Sequence, residues 1–303
     1  MLLYTINLSD RVLELNTLAN HLIHTSLPSN ELWRLEPTQE NMERYLDELN
    51  REIPDEIPSN FSETEALWLT NKLIARRMVY IYLGRFQEAA ADVEKIISVC
   101  PREEDSEGTI SDFEIDAFHY FAIGAEEKGY AALNDLAKEG SALAILFLKI
   151  KGKPIPNIEY ISYISYYSPR PSIVEDDLFC QGRYEEAIKK IDTYLEKDSD
   201  FYGRGNLLAL RGVFKAMAND YEGAIFDLDQ TIDLSSSSYP FYSQPELAVR
   251  GLIHCLNNDP EKAKADFGSI PYTRVPHKSI AGCLGDFNEF KWEALIIEQS
   301  LGL

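Results

Sequence analysis

The chain is short of basic residues: 29 lysines and arginines face 50 aspartates and glutamates in 303 residues, a formal charge of −21. That deficit argues against a nucleic-acid footprint and against an anionic membrane surface. Cysteine is scarce too. Cys100, Cys180, Cys255 and Cys283 stand far apart, without a CxxC or a Cys/His cluster. The pattern fits reduced, mostly buried thiols and offers no zinc-ligand spacing. No apolar run approaches the ~20 residues of a membrane helix. The longest, Ala142–Leu148, is followed by lysines. The opening MLLYTINLSDRV lacks a basic leader and a small-residue cleavage site, so the expected location is the cytoplasm. Signatures for catalysis (GxSxG, a Walker loop, HExxH, GxGxxG, the kinase set) are missing as well, and no cofactor or metal is implied.

What the chain does contain is repetition. In LRGVFKAMANDYEGAIFDLDQTIDL (210–234), Tyr221, Ala224, Ile225, Leu228 and Ile232 recur at helical spacing behind an Asn219-Asp220 turn. Leu207–Ala218 reads as the preceding helix, with Gly212 and Ala224 as points of close crossing. The same order returns in 249–271, where Arg250-Gly251, Asn258-Asp259 and Ala263 align at one offset. It returns again with Gly182, Tyr184, Ala187 and Ile191, and with Gly84, Phe86, Ala89, Val93 and Pro101.

This unit resembles the tetratricopeptide repeat, a helix–turn–helix of about 34 residues. Clear units fall near 70–101, 168–199, 205–236 and 244–271. Arg77 and Asn219 depart from the glycines usual at their positions. LAKEGSALAILFLKIKGK (136–153) resembles the related Sel1-type repeat through Ala137, Gly140, Ala144 and Gly152. Residues 158–167 read either as that unit's second helix or as an insertion. The resemblance implies an all-α, right-handed superhelical solenoid, with capping helices over 1–60 and 286–303 around an array at 61–285. Asp286 and Glu289 have capping-box spacing, and the acids of 102–116 read as a solvated connection.

The resemblance further implies binding on the concave side, lined by first helices: Ile74, Met78, Tyr82, Val213, Met217 and Leu252. These apolar positions replace the Lys, Arg and Asn of a carboxylate clamp, so chaperone-tail docking is rejected. The groove would take an apolar segment of another protein or the chain's own tail, 292–303. Glu222, Asp229 and Asp233 share one flank of a helix, either a hydrated face or a contact for a basic partner. Asp227 and Asp229 project about 200° apart, so they cannot clamp one ion, and both read as a charged flank. Tyr239, Phe241 and Tyr242, like Tyr160, Tyr163, Tyr166 and Tyr167, would fall between repeats as packing or as partner anchors.

His21 and His24 are one turn apart but lack a third ligand nearby in sequence, and His254 reads as packed. The expected function is therefore a non-catalytic scaffold or adaptor that binds a protein segment. The alternative is an acidic inhibitor or immunity-type protein that neutralises a basic toxin or nucleic-acid-binding protein. A helical-repeat enzyme is the least favoured reading. Nothing in the pattern sets an oligomeric state.

Overall fold

The computed structural model describes residues 31–54, 62–99, 117–157 apart from 119 and 139, 175–197, 201–238, 244–271, 278–280, 283 and 289–303. All regular structure among them is helical, with twelve α-helices and one 3₁₀ turn of defined extent. The sequence expectations for 1–30, 102–116, 158–167, Tyr239, Phe241, Tyr242 and Asp286 lie outside the described residues. Packing divides the chain into two compact units. One takes 1–107 with 272–288, the other 108–271 with 289–303, a division different from the caps and single array expected.

The first unit holds the 3₁₀ turn Glu31–Arg34 and helices α1 (Gln39–Glu52), α2 (Glu63–Tyr82) and α3 (Phe86–Val99). The Thr38 hydroxyl caps α1 by accepting from the Asn41 amide, and Ser62 with Glu65 forms a capping box on α2. Helices α2 and α3 make an antiparallel hairpin. The second unit runs α4 (Glu126–Lys138), α5 (Ala142–Ile150), α6 (Glu175–Cys180), α7 (Tyr184–Lys197), α8 (Phe201–Met217), α9 (Tyr221–Ser238), α10 (Gln244–Leu256), α11 (Pro260–Ser269) and α12 (Glu289–Leu301). Its neighbours pair as α4/α5, α6/α7, α8/α9 and α10/α11, and α7/α8 and α9/α10 join consecutive hairpins.

One turn chemistry recurs between paired helices. After α2, the Gly84 amide donates to Ile81 O and Arg85 to Tyr80 O, the paired bonds of a helix that ends on a left-handed residue. The same pair recurs at Gly182, Asn219 and Asn258. The two asparagines take φ 67° and 58°. Asparagine is among the few residues other than glycine that tolerate this region, which explains why Asn219 can stand in for the turn glycine.

A buried ion-pair ladder ties the hairpins together. Arg76, Arg211 and Arg250 each fork onto an aspartate sixteen residues later, in the second helix of the same hairpin: Asp92, Asp227 and Asp266. In each case Nε bonds Oδ2 and Nη2 bonds Oδ1, at 2.5–2.9 Å. The remaining Nη1 reaches back to the preceding helix: Asn50 on α1, Asp192 on α7 and Asp229 on α9. All three guanidinium nitrogens are thus engaged, two bonds closing a hairpin and one reaching the helix before it.

Small residues let the paired helices cross closely. A Cβ on Gly212 would lie 3.2 Å from Ala224 O, and one on Gly251 would lie 2.7 Å from Phe267 Cε1, a ring with no exposure. Gly251→Ala is expected to lower stability by ~1–3 kcal/mol through overpacking. Thermal unfolding checks this, and an unchanged midpoint would show that the Phe267 ring shifts freely.

Candidate functional site

The inner positions of the second unit are not a surface. Val213, Met217 and Leu252, expected as groove lining, are 0%, 6% and 0% exposed, so they meet neighbouring parts of the chain and not an open groove. The cover is the chain itself. Helix α5 packs on α10, and all seven residues of Ala142–Leu148 are buried, as an all-round apolar helix must be. Helix α12 packs on α10 and α11 with Ala294, Ile296 and Ile297 fully buried.

Three lysines fasten these covering helices. Lys149 Nζ donates to Met217 O at 3.1 Å and to Asn219 Oδ1 at 2.9 Å. Lys151 bonds Ser300 O, and Lys291 bonds Phe267 O at 3.1 Å. Each cation meets the carbonyls at a helix C-terminus, where the helix dipole favours positive charge. Burial lowers the pKa of Lys149 and Lys291.

In the first unit, Ile74, Met78 and Tyr82 share one face of α2 and are half-buried. Tyr82 is already engaged, since its hydroxyl donates to Pro37 O, and burial raises its pKa.

Asp227 also departs from expectation. It is fully buried instead of forming a charged flank, and it receives Arg211 through two bonds and Lys215 at 2.9 Å. The two aspartates do diverge as the helix period requires, but one of the two directions points at α8.

The other direction opens a ridge. Glu222, Asp229 and Asp233 are all exposed along α9, and Phe226 stands among them at 62% exposure. The spacing 222, 226, 229, 233 keeps all four on one stripe about 16 Å long. Helix α9 contains no lysine or arginine. Asp229 is neutralised by Arg250 Nη1 at 2.6 Å, and its side chain stays 51% exposed.

Comparison of the repeats singles out Phe226. Aligned on the turn residues Gly84, Gly182, Asn219 and Asn258, its counterparts are Ala91, Lys189 and Ala265, all exposed. Small or charged residues suit that outward position, and a phenylalanine there covers nothing within its own hairpin core. The sequence held this signal, because Phe226 falls on the acidic flank and off the apolar stripe.

Two further polar groups are buried. His254, 5% exposed, lies with Nε2 3.7 Å from Asp266 Oδ2 and without a partner at Nδ1, and burial lowers its pKa. Glu246 has no partner at Oε2. Among the described residues, no three His, Cys, Asp or Glu side chains are grouped to hold a metal, and no helix is long and apolar enough to cross a membrane. Burial raises the Cys255 thiol to about 11.

Among the described residues, these features define an all-helical class built of neighbouring antiparallel pairs with a solvent-facing acidic and aromatic ridge. No family model, curated protein or solved structure matches the chain.

Proposed function

We propose that the chain is a tetratricopeptide-like, right-handed hairpin array that works by binding another protein, without catalysis or cofactor, in the cytoplasm. Its contact surface is the outward ridge Glu222–Phe226–Asp229–Asp233. Phe226 carries the reading: a 62% exposed aromatic ring at a position that the hairpins turning at Gly84, Gly182 and Asn258 fill with exposed alanine or lysine. An exposed ring can bury large apolar area at little entropy cost, the property that makes aromatics interface anchors. The surrounding carboxylates select a partner with an apolar side chain flanked by lysine or arginine.

The net charge of −21 favours one version of this function, an inhibitor or immunity-type protein that masks a basic toxin or nucleic-acid-binding protein. Long-range attraction would then speed association and make it fall steeply with salt. Ile74 and Met78 on α2 are a separate surface that this reading does not require.

The test is a pair of variants measured against the partner recovered by co-purification. Phe226→Ala and the double reversal Glu222→Lys/Asp233→Lys are each expected to weaken binding at least about tenfold, as loss of an interface anchor does. Because these side chains are exposed, unfolding midpoints should stay within the small range of surface substitutions. Unchanged affinity in both variants would remove the ridge from the interface.

A further inference from the structure

Glu246 stands in the first turn of α10, 3% exposed, with no hydrogen-bond partner at Oε2. Buried ions elsewhere have opposites, or, at Lys291, the carbonyls of a helix end. Lys72 has Glu52, Arg76 has Asp92, and Asp227 has Arg211 and Lys215. On the elements packed against α10, Glu222, Glu261 and Lys264 are exposed, and Glu298 acts on Lys291. On α9, Asp227 and Asp229 hold Arg211 and Arg250, and Asp233 faces solvent. On α11, Asp266 holds Arg250, with His254 nearby, and Lys262 holds Asp259. On α5 and α12, Lys149 and Lys291 cap helix ends. A carboxylate at Glu246 would have only a backbone hydrogen bond to offset its burial, so the neutral acid is the form that fits.

We propose that Glu246 is a proton-dependent latch on α10: the neutral acid lets the first turn of that helix stay buried, and its ionisation destabilises the packing there. Burial raises the carboxyl from 4.5 to about 8 in the folded chain. Between those values the folded state holds one proton more than the unfolded state. The stabilisation is therefore complete below about 4.5 and is lost as pH rises through about 8, roughly tenfold in the unfolding constant per pH unit. Helix α10 also carries Arg250, which holds Asp229 on the ridge, so loosening reaches the proposed contact surface. That consequence rests on the ridge reading, whereas the latch does not.

Other groups titrate with the opposite sign. Glu65, Glu88, Glu186 and Asp259 have lowered carboxyl pKa values, His254 is lowered by burial, and so are Lys149 and Lys291. All of them are shared by the wild type and Glu246→Gln, so the difference between these two chains isolates the latch. Urea unfolding of both full chains from pH 5 to 9 is the experiment. The wild type should lose stability relative to Glu246→Gln by about tenfold in the unfolding constant per pH unit up to about pH 8. Amide exchange in α10, corrected for intrinsic rates, should accelerate above pH 8 in the wild type alone. Parallel pH profiles would overturn the proposal. A carbon-detected titration of the wild-type glutamate side chains tests the latch without a variant: one carboxyl should titrate near pH 8, and none above pH 7 would sink it.

Discussion

Asp227→Ala is expected to cost about 3–5 kcal/mol, the range for breaking a buried ion pair by removing one partner. The side chain is fully buried and collects three cationic bonds, two from Arg211 and one from Lys215. Arg211 would keep Asp192, but Lys215 would retain only the carbonyl of Gly223 at 3.4 Å. Both cations are mostly shielded, so water replaces the carboxylate poorly. The α8/α9 hairpin would lose its internal fork, while the bond to the preceding hairpin would survive. Asp229→Ala removes a half-exposed acid and should cost about 1 kcal/mol or less, in line with exposed pairs. Equilibrium unfolding of the two variants distinguishes these cases. Equal small losses would mean that solvent reaches Arg211 and Lys215.

Met217→Glu should have an effect of similar size and for a different reason. The site is 6% exposed, and the Met217 carbonyl is the one that Lys149 caps. A carboxylate there must either be buried or displace α5 from the end of α8. Either outcome costs several kcal/mol and should abolish or sharply reduce cooperative unfolding. Were Met217 on an open groove, the same substitution would leave stability almost unchanged. Circular dichroism melts of wild type and variant decide between the two.

Much of the fold was legible in the sequence because helical hairpins are local. The aligned turns predicted the helix boundaries at Gly84, Gly182, Asn219 and Asn258, and Gly212 with Ala224 predicted a close crossing that the contacts bear out. His254 was rightly read as packed. The packing of α5 on α10, the helix of Leu252, was not legible from the repeats, since α5 lies far earlier in the chain. Periodicity marks an apolar face and says nothing of what covers it. The signal that α5 must be enclosed was present, in the unbroken apolar run 142–148, but it named no partner for the run.

The ladder was readable only by comparing columns. An arginine and an aspartate sixteen residues apart recur at 76/92, 211/227 and 250/266, and a single unit viewed alone shows two scattered charges. Phe226 is the reverse case, visible as a large apolar residue where Ala91, Lys189 and Ala265 stand after the turns at Gly84, Gly182 and Asn258. Helix α9 thus presents one aspartate to the interior and two to solvent, and the period of the helix separates structure from recognition along eighteen residues.

Recognition through the outward ridge of α9 is tested most directly by parallel co-purifications from native lysate. The baits are the wild-type chain, Phe226→Ala and Glu222→Lys/Asp233→Lys, each washed at rising salt. A basic protein should be retained by the wild type at low salt, released as salt rises, and lost from both variants while they remain folded. Retention of the same protein by both folded variants, at the same salt, would contradict the account.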